Sequence, residues 1–177
     1  VTADVTLAAA RRTSFAVVKK HAAAVRALGA RLSISTQAAE PPAELVASLE
    51  ADRARVPEVW REHGKRAQSE PIRLKLAAIG ARLEQTAARI AARHGGKSEE
   101  HPGAYDGAAE LEQDLLLVRD ALLRAGASRT ERTLLEPLVD EVRLAGLHGF
   151  RLDLREDAGV LATALADVCR AVGTGPL

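Results

Sequence analysis

The chain has 177 residues, enough for one domain with its own core and with no need of a second. A hydrophobic share of 47% excludes a disordered tail, and 25 basic residues interleaved with 24 acidic ones leave a net charge of only +1, which argues against a nucleic-acid partner. Aromatics make up just 2%, so the core must come from Leu, Val, Ile and Ala, a composition that favours closely packed helices.

The first helix is expected to start after Thr2 and to run to about Gly29 or Leu32. Phe15, Val18, Ala22, Val25, Leu28 and Leu32 fall three or four apart along it and form one apolar stripe. Residues 33–42 break the pattern, and a second helix follows from about Pro42 through Ala54. Pro57 suits the first turn of a short helix carrying Trp60. The clearest helix follows Ser69, a natural N-cap, with Ile72, Leu76, Ile79, Leu83 and Ile90 as its buried stripe and Gly95 and Gly96 as its stop.

Residues 97–107, KSEEHPGAYDG, are the most loop-like in the chain. A flexible connection over about 95–107, open to nicking, is expected there. Asp106 can cap the next helix, whose stripe is Leu111, Leu115, Val118 and Leu122. Ser128 with Glu131 three residues on is a capping-box signature for a helix to about Leu144, which Pro137 should bend or break. GFRLDLRED then alternates with a period of two, Phe150, Leu152 and Leu154 against Arg151, Asp153 and Arg155, a strand pattern over about 150–155. A helix over about 158–172 closes the chain. The fold expected is mainly α: antiparallel helices with one strand.

Candidate chemistry is sparse. The histidines at 21, 63, 94, 101 and 148 never fall four apart on a helix face, the spacing that makes a metal pair. His94, His101, Glu99 and Glu100 read better as a solvated loop than as a metal clasp. ARHGGK sits at a helix end, where the dipole is negative, so its glycines read as a cap and not as an anion loop. Cys169 reads as a small buried hydrophobe. As a lone cysteine it forms no internal disulfide and suits a reducing, cytoplasmic setting. Arg73 in SEPIR reads equally as a presented ligand group or as a surface residue. The alternating strand has two readings as well: an edge strand with a wet charged face, or a barrel strand whose arginine lines an anion site. No run approaches the roughly 18–20 apolar residues of a membrane helix. The absence of methionine and the start on Val1 lead us to expect an internal piece of a longer polypeptide.

LHGFRLDLRED resembles the F-G-F-H-L-A-x-L-D-I-R-Q segment of phosphoenolpyruvate carboxylases, with Gly146, His148, Leu152, Asp153 and Arg155 matching. VTADVT is similar to the family's V-T-A-E-V-T, GARLSIST to R-x-L-S-x-S, SEPIRLKLAAIGARLEQT to E-P-Y-R-x-K-L-x-x-I-x-x-R-L, and AAELEQDLLLVRDALLRAG to D-L-x-x-I-x-x-S-L. These matches run in the family's order over nearly the whole chain.

The resemblance implies a lyase that makes oxaloacetate and phosphate from phosphoenolpyruvate and bicarbonate with Mg²⁺ or Mn²⁺. It implies an α/β barrel to which the strand belongs, incomplete in this chain, and a homotetrameric parent. Arg155 is the one catalytic position it transfers. The family's G-H-P-T-E histidine lies upstream of such a segment, and its metal carboxylates, active-site lysine and basic glycine loop lie downstream. The segment alone is therefore expected to be inactive, with metal ligands outside it, and its unpaired strand is expected to invite self-association. Ile72 stands for the family's tyrosine, Glu156 for the glutamine after Arg155, and Gly149 and Phe150 for a small apolar pair. The alternative is a non-catalytic helical interaction or scaffold domain derived from the same fold.

Overall fold

The structure, a computed structural model, describes residues 3–32, 40–67, 69–94, 100–149 and 158–173. Among these the regular elements are helical: α1 (Ala3–Arg31), α2 (Ala43–Arg55), α3 (Pro57–Ala67), α4 (Pro71–His94), α5 (Ala108–Arg124), the short α6 (Ser128–Thr130), a π-turn (Glu131–Leu135), α7 (Glu136–Ala145) and α8 (Ala158–Ala171). The expected strand at about 150–155 lies outside the described residues.

α4 is the axis of the molecule. The long α1 lies along it, and α2, α3 and α5 pack around its remaining sides, while α7 closes against α5 and α1. The apolar spacing of α4 explains this position, since Ile72, Leu76, Ile79 and Leu83 are all buried and Ile90 packs against the same core. Facing them are Val18, Ala22, Val25, Leu28 and Leu32 of α1, Leu45 and Leu49 of α2, and Leu111, Leu115, Val118 and Leu122 of α5. Each fully buried Leu, Ile or Val contributes about 1.5–3 kcal/mol. Outside the core, Glu84 of α4 takes Lys19 Nζ and Arg26 Nη1 of α1, both at 2.6 Å. The Lys19 hydrogen bond, with help from Arg26, draws the Glu84 carboxyl below its ordinary range.

Several local expectations are corrected. Phe15 is 39% exposed, so the stripe of α1 begins at Val18. Pro71 is the first residue of α4, which leaves Glu70, and not Ser69, in the capping position. Gly107 caps α5 with extended backbone, while Asp106 turns its carboxylate to Arg89 at 3.0 Å. Ser128 and Glu131 form no capping box, because Ala127 precedes the helix and Ser128 is already in it.

Pro137 interrupts the regular winding, as expected: the α-helix gives way to a π-turn before it and restarts at Glu136 with the proline in its first turn. Proline lacks an N–H, and its ring crowds the carbonyl four residues back. The π-turn over Glu131–Leu135 comes directly before it and widens the winding where that clash would fall, so helix runs from Ser128 to Ala145. α8 has no buried residue. Leu161, Leu165, Val168 and Val172 form an apolar stripe that is about half exposed, and Cys169 is half-buried where full burial was expected.

Candidate functional site

The charged groups of the chain are not all on its surface. Lys75 and Arg82 lie two turns apart on α4 at 0% and 2% exposure, on the same side as its apolar stripe. Lys75 uses all three ammonium hydrogens, bonding Ser48 Oγ and Asp52 Oδ2 of α2 and Asp114 Oδ1 of α5, each at 2.6 Å. Arg82 Nη1 donates to the other Asp114 oxygen at 2.8 Å, Nη2 donates to Glu110, and Nε donates to the Gly103 carbonyl at 3.1 Å. One ammonium and one guanidinium therefore tie three helices and a loop together through buried carboxylates. Burial pushes the Asp52 carboxyl above its ordinary value, although Lys75 beside it pulls the other way. Every member of the cluster is hydrogen-bonded, although Asp52 Oδ1 itself has no hydrogen-bond partner, and its buried ion pairs position the helices that carry them.

The same cluster fastens the described half of the 95–107 connection. Tyr105 is fully buried, with its ring under the Arg82 guanidinium at 3.9 Å and its hydroxyl donating to Asp114 Oδ2 at 2.7 Å. Its backbone N–H donates to Thr86 Oγ1 at 2.9 Å, and the Gly103 N–H donates to Gln85 Oε1 at 2.8 Å. Burial, reinforced by the Asp114 charge, lifts the phenol well above its ordinary value of 10.0. When pH rises past that value the unfolded chain releases the phenolic proton and the folded chain keeps it, so stability falls with increasing pH from there upward. Tyr105→Phe should cost about 1.5–3 kcal/mol at neutral pH and should flatten this alkaline decline in chemical denaturation. Tyr105 is the only tyrosine, so tyrosinate absorbance in the folded protein reports its titration directly.

A cleft of about 410 Å³ opens between α1, α3 and α4, lined by Arg26, Gly29, His63, Glu70 and Arg73 among others. Arg73 is committed to Glu70 at 3.1 Å on the rim of this cleft and is about half exposed. Among the described residues no three His, Cys, Asp or Glu side chains converge as a metal site. Nor, among them, is any helix long and apolar enough to cross a membrane.

Arg155, the catalytic position expected from the sequence, lies outside the described residues. What the structure describes is the ground it departs from. α7 ends at Ala145, and the tight turn 146–149 holds two positive-φ glycines, Gly146 at 58° and Gly149 at 76°. The buried His21 of α1 meets the Gly146 carbonyl through Nε2 at 2.9 Å. Sequence reading missed His21, Asp52, Lys75, Arg82, Tyr105 and Asp114. A signal for the charged ones was present, because each sits on the apolar stripe of its own helix: Lys75 four before and Arg82 three after Ile79, Asp52 three after Leu49, and Asp114 three after Leu111.

Fold and site together define a helical module, braced from within by charged side chains, whose C-terminal turn leads into an arginine-bearing segment. A model of the phosphoenolpyruvate carboxylase family matches residues 1–176, and the chain belongs to that family. It is similar to the phosphoenolpyruvate carboxylase of Roseiflexus castenholzii, 34% identical over 176 residues, which are 98% of this chain and 19% of that protein. The corresponding enzyme of Synechococcus sp. strain WH7803 is 32% identical over 96% of this chain and 18% of its own length. That of Xanthomonas euvesicatoria pv. vesicatoria is 35% identical over 92% and 16%. The chain thus spans less than a fifth of the length of these relatives.

Proposed function

We propose that this chain is an internal segment of a phosphoenolpyruvate carboxylase and supplies Arg155 to its active site. The observation that carries this reading is the family match over residues 1–176, which spans only 16–19% of the relatives' length. In the proposed reaction a bicarbonate oxygen attacks the phosphoryl group of phosphoenolpyruvate, and the bond from phosphorus to the enol oxygen breaks. The electron pair leaves on the enolate, giving carboxyphosphate. Carboxyphosphate breaks down to CO₂ and phosphate, and the enolate carbon captures the CO₂ to form oxaloacetate.

Arg155 remains charged throughout, and its planar fork gives paired hydrogen bonds to phosphate or carboxylate oxygens where negative charge sits or develops. Residues 150–155 are proposed as one strand of an α/β barrel completed by sequence beyond this chain. The divalent cation, Mg²⁺ or Mn²⁺, finds no donor set among the described residues. Its carboxylate ligands are proposed to lie in other parts of the parent, as the family resemblance implies, and no step here runs through it. A cytoplasmic homotetramer is the proposed setting.

The test is carboxylation. The intact polypeptide carrying this chain should release oxaloacetate and phosphate in equal amounts from phosphoenolpyruvate and bicarbonate, and the purified 177-residue chain should release neither. An intact polypeptide that folds, binds its partners and makes no oxaloacetate would instead support the scaffold reading. That reading has one feature in its favour, Glu156 following Arg155 in the sequence, whose carboxylate would pair with the guanidinium or repel an anionic substrate.

A further inference from the structure

His21 is a buried imidazole that neither the core nor the charged brace explains. It is 0% exposed and sits on α1 among Val18, Ala22 and Val25, 125 residues before its partner, the carbonyl of Gly146. A carbonyl only accepts, so the 2.9 Å contact requires a hydrogen on Nε2. The other ring nitrogen, Nδ1, has no hydrogen-bond partner and lies 3.7 Å from Glu141 Oε1 of α7, an oxygen that Lys20 Nζ already holds at 2.8 Å. The carbonyl that His21 meets belongs to Gly146, the capping residue just past the end of α7, where carbonyls lack partners from the helix itself. Gly146 is buried, so a donor from another element is the means of satisfying it.

The far end of the same turn is also seated on α1. A Cβ on Gly149 would come within 2.6 Å of Val17 Cγ2 and 3.4 Å of Thr13 Cγ2, so the backbone there lies directly against the helix. The Gly149 N–H donates back to the Ala145 carbonyl at 2.7 Å, and Leu147 between the two glycines packs against the core. Four residues are thus fixed at both ends to one face of α1. Residue 150 begins the segment that carries Arg155, six positions beyond Gly149.

We propose that His21 is a positioning residue for Arg155: through Nε2–H it holds the 146–149 turn on α1 and so sets the direction in which the arginine-bearing segment departs. This rests on the reading of Arg155 given above. An error of about 1 Å in the placement of a reacting group costs up to roughly 100-fold in rate, so a loosened turn should show in turnover.

The test is a double-mutant cycle in the intact carboxylase, with rates normalised to folded enzyme. His21→Leu, which keeps the bulk and loses the donor, should lower kcat by about 10- to 100-fold. His21→Gln, whose amide Nε2–H reaches the same carbonyl, should return kcat to within about threefold of wild type. In an Arg155→Lys background, which retains residual turnover, His21→Leu should cost under about threefold more, because the residue acts through Arg155. In this chain, amide hydrogen exchange at Gly149 should quicken in the Leu variant and not in the Gln variant. If His21→Leu does not accumulate as folded protein, His21→Asn, polar but too short to reach, takes its place. Near-normal turnover of Arg155→Ala would overturn the assignment of Arg155 and this inference together. An inactive Arg155→Ala beside a His21→Leu enzyme that is unimpaired, or equally impaired in both backgrounds, would overturn this inference alone.

Discussion

Lys75→Met should destabilise this chain by about 3–5 kcal/mol, the usual consequence of removing one member of a buried ion pair. The wild-type cluster holds two cations, Lys75 and Arg82, against Asp52, Asp114 and Glu110. Methionine fills the space of the lysine stem but leaves Asp52 with only a 3.7 Å approach from Arg82, and Asp52 Oδ1 has no hydrogen-bond partner even in the wild type. A domain of ordinary stability has about 5–15 kcal/mol in total, so the variant should stand near its unfolding midpoint at mild denaturant. Its pH dependence gives the mechanism away. A carboxyl whose value is raised in the folded state binds its proton more tightly there, so acid favours folding and rising pH withdraws that help. The deficit of Lys75→Met should therefore shrink as pH drops toward the ordinary carboxylate range and should be full at neutrality. Adding Asp52→Leu should recover part of the loss, since the stranded charge then goes too. Urea titrations of the single and double variants at acid and neutral pH check all three statements, and a deficit of equal size at every pH would mean that Lys75 acts only by packing.

Arg155→Ala in the intact enzyme should reduce kcat by about 100- to 1,000-fold, the scale on which one donor to a developing anion is worth catalysis. Arg155→Lys separates charge from geometry. Lysine restores the positive charge but not the planar paired donors, so it should recover only part of the loss, with kcat still depressed by about tenfold or more. Helical content by circular dichroism should be unchanged in both variants. If lysine supports wild-type turnover, paired hydrogen bonding is not what position 155 supplies. If alanine does as well, the guanidinium is not in the site at all.

Much of the helical framework was readable because the signals were local. The stripe Ile72, Leu76, Ile79 and Leu83 predicted α4 and its buried face, and Pro57 marked the start of α3. Failures came where the deciding partner is distant in sequence or missing. Asp106 reads as a cap until Arg89, 17 residues away, claims it. Lys75 and Arg82 read as ordinary charges because the carboxylates that justify their burial lie 23 to 39 residues off on other helices. Phe15 fits an apolar stripe by spacing alone, yet it is exposed in the folded chain. Arg155 was singled out only through the wording of its motif and lies outside the described residues, since alternation by itself leaves a wet edge and a lined pocket equally open. His21 carried no periodic signal beyond standing three after Val18, and its role depends on a turn 125 residues later.

The widened winding before Pro137 has an effect on which residues look inward. Its i to i+5 geometry aligns Leu135, buried, with Thr130, where a regular helix would align it with Glu131. Rewinding that stretch to 3.6 residues per turn would advance everything upstream by one residue's rotation, about 100°. The carboxylate of Glu131 would then swing toward the azimuth that the threonine now occupies. Proline and wide turn together act as a phase adjuster: the imino acid disfavours the regular pitch, and the offset decides which of residues 130 and 131 lines up with the buried Leu135.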